Sequence, residues 1–81
     1  MAMDIREQVI LIIAEHAGML ADKIEGDDIL NQDLEMDSLD MAEMVVALEE
    51  KFEISIDDEE SDNFIEVDDV VKCIEEKLNK K

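Results

Sequence analysis

The residues best suited to carry chemistry are Asp37-Ser38-Leu39-Asp40, which stand where a predicted loop gives way to an acidic amphipathic helix. Ser38 directly precedes the run 39–52, which contains no Gly, Pro, Ser, Thr or Asn. The Ser38 hydroxyl would therefore lie at a helix N-terminus, where unpaired backbone N–H groups and the helix dipole favour an attached phosphate. The pattern suits a group that is attached to Ser38 and carried, rather than a reaction that the chain catalyses.

A purely structural role is the alternative for the same residues. Asp and Ser are both preferred N-cap residues, so Asp37 or Ser38 could do no more than begin the helix. Local sequence alone favours this interpretation. The composition and the surrounding pattern shift the balance toward a functional serine.

The bulk composition predicts one small, strongly acidic domain. The 81 residues leave room for a single core, and we expect residues 1–81 to form one domain, with Met1-Ala2 interpreted as a cloning remnant. The chain has 25 acidic and 7 basic residues, for a net charge of -18. Nucleic acid and anionic membranes are excluded as partners because they require basic patches. Partners with basic docking surfaces are indicated instead.

No feature of the sequence indicates a membrane or secretory protein. No apolar stretch approaches the ~18 residues of a membrane span, and the basic start and apolar core of a signal peptide are missing. We therefore expect a cytoplasmic protein without membrane insertion. An organellar location after removal of a transit peptide stays open.

Candidate metal and catalytic residues do not form a site. Cys73 and His16 are the only residues of their types, so a disulfide, a zinc site and a His-dependent triad all lack partners. The acids at 57–60 fail as an EF-hand, because Asp62 occupies the position that needs Gly and Asp68 the position that needs Glu. We expect no catalytic residue and no metal site, and hence no enzyme; loose divalent-cation binding stays open.

Helical spacing of apolar residues dominates, so the fold is predicted to be all-α. Longer helices are predicted over 4–17, 38–52 and about 66–78. Asp4 is the expected N-cap of the first, with Glu7 placed as in a capping box, and Gly18 is its expected stop. The three apolar stripes are Ile5, Val9, Ile12 and Ile13; Met41, Met44, Val45, Leu48 and Phe52; and Val67, Val70, Val71, Ile74 and Leu78.

The remaining segments predict a long loop and one short helix. The connection 19–37 carries the apolar anchors Ile24, Ile29, Leu30 and Leu34, and the segment 53–63 carries Ile54 and Ile56. We expect a short, irregular helix in the second segment. Lys77, Lys80 and Lys81 would complement the dipole at the end of the last helix. The sum is a small four-helix bundle of three longer helices and one short one.

The helix predicted over 38–52 has a second apolar face. On a helical wheel, Leu39 and Val46 lie nearly opposite the core stripe, with carboxylates on both flanks. We call this face the docking strip; it comprises Leu39, Asp40, Ala42, Glu43, Val46, Glu49 and Glu50. Single exposed apolar residues are common and a loop could cover them. Ser38 at the head of the same helix favours docking, with apolar contacts for grip and acids for steering.

The run 33–52, DLEMDSLDMAEMVVALEEKF, resembles the acyl carrier proteins of dissociated (type II) fatty-acid synthesis. The similarity extends to the opening amphipathic helix, the long loop and the stretch Ile54-Ser55-Ile56-Asp57-Asp58-Glu59. Alone, the tripeptide Asp37-Ser38-Leu39 is a weak signal. Within this length and charge pattern it is a strong one.

The resemblance implies an acyl carrier with a covalent cofactor. Ser38, within the Asp37-Ser38-Leu39 signature, would hold 4'-phosphopantetheine from coenzyme A through a phosphodiester, and the terminal thiol would carry growing acyl chains as thioesters. In the docking strip, Leu39 and Val46 would make apolar contacts, and the acids would meet Arg and Lys on partner enzymes. The implied partners are phosphopantetheinyl transferase, malonyl transferase, ketosynthase and other fatty-acid synthesis enzymes. We expect a monomer.

Two departures from the family pattern and two alternative functions accompany this interpretation. Glu35 stands where the family usually has Gly, which would allow a different backbone geometry before the signature. The Pro that commonly follows the second helix is absent, with Ser55 and Ile56 in that region. A carrier for polyketide, specialised lipid or aminoacyl transfer stays open, although the acidic second helix favours fatty-acid synthesis. An unmodified acidic adaptor is the other alternative.

Overall fold

The computed structural model describes residues 4–79 and consists of four α-helices joined by irregular segments. The helices are α1 (Ile5–Ala17), α2 (Ser38–Phe52), α3 (Asp58–Asp62) and α4 (Val67–Asn79), and a short 3-10 turn, Ala21–Lys23, follows α1. The described residues contain no strand, only an isolated antiparallel bridge between Ile29 and Glu66. The predicted all-α fold is confirmed. The expectations for Met1-Ala2, Lys80 and Lys81 lie outside the described residues.

Both ends of α1 follow from local sequence. The Asp4 carboxylate accepts the N–H of Glu7 at 2.8 Å, which is one of the two bonds of a capping box. Gly18 ends the helix with φ 70, the left-handed conformation that favours glycine, and its N–H donates to the Ala14 carbonyl. The predicted start and stop of this helix are therefore confirmed.

The core is mostly aliphatic, with Phe52 and Phe64 as its aromatic members, and it draws on every helix except α3. α1 packs against both α2 and α4. The predicted stripes supply its centre, since Val9, Ile13, Met44, Leu48 and Ile74 are completely or almost completely buried. The other predicted members of these stripes are buried or partly buried against the same cluster. Burial of such side chains is worth about 1.5–3 kcal/mol each, so this core carries the fold.

The long connection between α1 and α2 is fixed by its own apolar residues and by hydrogen bonds to the start of α4. Ile24, Leu30 and Leu34 are buried as predicted, Ile29 is half-buried, and Met36 is a buried anchor that the sequence analysis did not single out. Leu30 N–H donates to Ile65 O at 2.9 Å. The first N–H groups of α4 donate to loop carbonyls, Val67 to Asp28 at 3.0 Å and Asp68 to Gly26 at 2.9 Å.

The short helix α3 contributes no buried residue to the core. Asp57 and Glu60 form a complete capping box at its start, and Ile56 and Phe64 on either side are buried. The segment is thus anchored at its two ends. Within residues 4–79, no helix is long and apolar enough to span a membrane.

Candidate functional site

Ser38 is the first residue of α2, and its hydroxyl is exposed. Asp37 is the N-cap: its Oδ1 accepts the N–H of Asp40 at 2.8 Å, and Asp40 Oδ2 accepts the N–H of Asp37 at 3.3 Å. The structure thereby separates two roles that the sequence left open. Asp37 begins the helix, and the Ser38 hydroxyl makes no hydrogen bond to any residue within 4–79.

The other hydroxyl groups of the chain are less suited to carry a phosphate. Ser38, Ser55 and Ser61 are the only serines, and the chain has no Thr or Tyr. Ser61 is half-buried and its Oγ donates to Asp58 O at 3.1 Å. Ser55 is exposed but lies two residues before Asp57, the N-cap of α3, and so outside the first turn of that helix. Ser38 alone combines exposure with a helix N-terminus.

The backbone around Ser38 can accept an anionic group. The N–H groups of Ser38 and Leu39 lie in the first turn of α2, where no helical carbonyl can reach them, and no loop acceptor meets them within the described chain. Two donors at the positive end of the helix dipole therefore remain for phosphate oxygens. The residues present fit a phosphate-linked group on Ser38.

A cleft of about 860 Å³ begins at Ser38 and runs along one flank of α2. One wall is α2, a second is the segment that contains α3, and the connection before α2 adds residues 29–32 and Met36 to the lining. Its lining is mostly apolar and includes Leu30, Met36, Met41, Val45, Ile56, Phe64 and Ile65. Sequence analysis missed Phe64 and Ile65 as site residues. The Asp57-x-x-Glu60 capping box, which marks the start of α3, was the available signal for this wall.

The docking strip is exposed at its apolar positions. Leu39 has 65% and Val46 52% of its surface accessible, and Ala42 between them is also exposed. The loop before Ser38 therefore does not cover this face. Residues at this spacing share one side of a helix, so the three side chains form one face of α2 that begins at Leu39, the residue after Ser38.

The four acids of the docking strip differ in whether their carboxylates already accept a hydrogen bond within the protein. Glu43 and Glu50 are exposed and have no hydrogen-bond or ion-pair partner among the residues described. Asp40 is half-buried and belongs to the capping box with Asp37. Glu49 is half-buried, and its Oε2 accepts the N–H of Ile56 at 2.8 Å.

The turn before the signature has the backbone geometry of a glycine although it contains none. Glu35 has φ 54, the left-handed region that costs an L-residue about 1–2 kcal/mol. Its neighbours Leu34 and Met36 are both buried, which holds the turn in place. Glu35 thus adopts a conformation that glycine would adopt without this cost.

The remaining titratable candidates form no second site. Burial raises the pKa of the Cys73 thiol above its usual value, and the negative charge of Glu60 adds to the rise. This thiol stays protonated at neutral pH and is partly buried. No group of three or more His, Cys, Asp or Glu residues within 4–79 is arranged to hold a metal ion.

Comparison with known proteins gives one family. Residues 7–79 match the family model described as a phosphopantetheine attachment site. An acyl carrier protein of Campylobacter hominis is 42% identical over 78 residues, which are 96% of this chain and 98% of that protein. An acyl carrier protein of Buchnera aphidicola is 38% identical over 71 residues, which are 88% of this chain and 91% of that protein.

Proposed function

Because this chain belongs to the acyl carrier proteins and has their phosphopantetheine attachment domain, we propose that Ser38 carries the 4'-phosphopantetheine arm. The observation that carries the proposal is the exposed, unpartnered Ser38 hydroxyl at the N-terminus of α2, left free because Asp37 caps the helix. The protein is a carrier and not an enzyme. Its contribution is to present this hydroxyl and then to hold the arm.

The residues around Ser38 have defined tasks in this proposal. The hydroxyl oxygen forms the phosphodiester, and the N–H groups of Ser38 and Leu39 can donate to the remaining phosphate oxygens. The arm supplies a terminal thiol on which acyl chains travel as thioesters. The apolar cleft beside Ser38 offers shelter to such a chain. Methionines at Met36 and Met41 adapt the lining to cargo of different length, because Met repacks easily.

The docking strip is proposed to meet the enzymes that load and use the carrier. Leu39 and Val46 offer exposed apolar contacts, and the acids around them favour basic patches on a phosphopantetheinyl transferase, a malonyl transferase and a ketosynthase. A monomer presents this face to each enzyme in turn. We propose fatty-acid synthesis as the pathway and the cytoplasm as the compartment, supported by the two relatives named as acyl carrier proteins. A carrier for a specialised pathway would dock in the same manner.

The direct test is intact mass after incubation of unmodified protein with coenzyme A and a phosphopantetheinyl transferase. Wild type should gain the mass of one phosphopantetheine. Ser38→Ala should gain nothing and remain folded, because its hydroxyl makes no hydrogen bond to the described residues. Ser55→Ala is the matched control, since it removes another exposed hydroxyl and should gain the full mass.

The outcomes separate the candidate functions. A mass gain in Ser38→Ala would contradict the proposal. So would the absence of any gain in every protein, wild type included, when more than one transferase is tried, and this second result would favour an acidic adaptor. Once the arm is attached, loading by a malonyl transferase and elongation by a ketosynthase distinguish fatty-acid synthesis from a specialised pathway.

A further inference from the structure

The α2 wall and the α3 wall of the cleft are held with unequal strength. The α2 wall is fixed from behind, because Met44, Leu48 and Phe52 are buried in the core. The opposite wall contains α3, of which no residue is buried. Its position depends on attachments at the ends of the segment and on the ion pair between Glu60 of α3 and Lys77 of α4. A helix with few buried contacts is the part of a small domain that moves first.

Glu49 provides the attachment at the α2 end. Its main-chain carbonyl accepts the N–H groups of both Glu53 and Ile54, the latter at 3.2 Å. Its side chain accepts the N–H of Ile56 at 2.8 Å. Glu49 therefore accepts hydrogen bonds from three of the four backbone N–H groups in the stretch 53–56, which leads to α3.

The turn that contains these amides is strained. A strained backbone persists only where surrounding contacts hold it, and the side-chain bond of Glu49 is one such contact. Glu53 has φ 55, the left-handed conformation, and is not a glycine. The chain reverses there, so that Ile56 lies beside a residue seven positions back. Ile56 is buried and lines the cleft, and the next residue, Asp57, caps α3. The position of Ile56 therefore sets where the second wall begins.

We infer that Glu49 is a positioning residue, whose carboxylate holds Ile56 and thereby the movable wall of the cleft, while Glu43 and Glu50 remain as the acids free to meet a partner's cations. The link from this wall to carrier activity rests on the proposed function. Only Oε2 of Glu49 accepts the Ile56 N–H, so a partner cation that binds this carboxylate acts on a group that also positions Ile56. The carboxylates of Glu43 and Glu50 hold no backbone group of residues 4–79 in place, so a cation bound to either one has no such effect.

The first test is amide hydrogen exchange, measured by NMR on the unmodified protein. Glu49→Ala should raise the exchange rate of the Ile56 amide at least about tenfold relative to the Leu48 and Ile74 amides, since those report general destabilisation. Glu49→Gln keeps an oxygen that can accept the bond and should raise it less. Glu50→Ala, the neighbouring exposed acid, should leave it unchanged. An Ile56 rate in Glu49→Ala that matches Glu50→Ala would overturn the inference.

The second test is pantetheine transfer by a phosphopantetheinyl transferase. If Glu49 acts through Ile56, Glu49→Ala should lower kcat/KM further than Glu49→Gln, whereas Ala and Gln should be equivalent at position 50. Equal losses for Ala and Gln at position 49 would show that only its charge matters and would overturn the link to activity. If wild type accepted no arm, the proposed function would fail while the Ile56 exchange data would still decide the role of Glu49.

Discussion

At the scale of single residues, the start of α2 shows how a capping pair frees a reactive group. Asp37 and Asp40 satisfy each other's backbone N–H groups, and Ser38 between them keeps an exposed hydroxyl. Had Ser38 been the N-cap, its oxygen would have been occupied by an N–H of the first turn. The same oxygen is needed for the phosphodiester, so the two roles exclude each other.

The left-handed conformation of Glu35 leads to a stability prediction. Replacement by Gly should raise the free energy of unfolding by about 0.5–1 kcal/mol, because removal of the strained Cβ outweighs the added freedom of the unfolded chain. Loss of one negative charge from a chain of net charge -18 acts in the same direction. Urea denaturation of wild type and Glu35→Gly measures the difference.

Glu35→Gln is the matched control for that prediction, since it removes the charge and keeps the strained backbone. We expect it to give only a minor part of the gain. If Gln stabilised the protein as much as Gly, the charge rather than the φ of 54 would be the cause.

At the scale of whole elements, the docking strip of α2 yields a prediction about partner encounter. Glu43→Lys and Val46→Asp should each lower kcat/KM for the transferase at least about tenfold, because one reverses a steering charge and the other places a charge in an apolar contact. Both side chains are exposed, so thermal unfolding should stay close to wild type. Kinetics at fixed ionic strength and calorimetry check the two statements.

Glu75→Lys is the control for the docking variants. Glu75 is an exposed acid on α4, and its replacement changes the net charge as much as Glu43→Lys does. A loss in Glu75→Lys as large as in Glu43→Lys would assign the effect to overall charge. Unchanged kinetics in both docking variants would remove the docking role of α2.

The ion pair between α3 and α4 predicts a pH dependence of stability. Lys77 Nζ lies 2.8 Å from Glu60 Oε2, and this hydrogen bond raises the pKa of Lys77 above its ordinary value. Because the folded-state pKa is the higher one, the stabilisation is complete below the unfolded-state pKa and is lost as pH rises through the folded-state pKa. The loss therefore falls in the alkaline range.

Urea denaturation between about pH 9 and about pH 12 tests this dependence. Wild type should lose more stability over that interval than Lys77→Met, by up to about 1 kcal/mol, since the pair is partly exposed. Lys72→Met, on the exposed face of the same helix, should behave as wild type. Identical pH profiles for wild type and Lys77→Met would mean that the pair contributes nothing.

Sequence alone predicted the elements well where one pattern dominates. The stripes of α1, α2 and α4 are confirmed, because apolar residues at helical spacing leave little choice of face. Both ends of α4 were predicted one residue too early. A short helix was predicted in the segment of α3, but its N-cap, Asp57, was not. The bond from Glu49 to Ile56 was not predictable, because it depends on the left-handed turn at Glu53, and left-handed glutamates are rare.

At the scale of the whole molecule, the net negative charge destabilises the fold but strengthens docking to a basic partner. The molecule measures 33 × 32 × 19 Å. At 10 mM salt the Debye length is about 30 Å, so each carboxylate is repelled by nearly all others; at 0.1 M it is about 10 Å, and only neighbours count. Salt therefore relieves the repulsion that opposes folding. The same screening weakens attraction to a basic partner.

We accordingly predict that a rise from 10 mM to 0.1 M NaCl increases the thermal midpoint by several degrees, which corresponds to about 1 kcal/mol for a domain of this size, while the association rate with the transferase falls. The double variant Glu15→Gln and Glu75→Gln removes two exposed carboxylates outside the docking strip. At low salt its thermal midpoint should be higher than that of wild type, and the midpoint should change less as salt is added. The association rate with the transferase should still fall as salt rises. A midpoint that falls with salt would indicate that specific ion pairs, such as Arg6–Asp68 and Lys77–Glu60, outweigh the general repulsion.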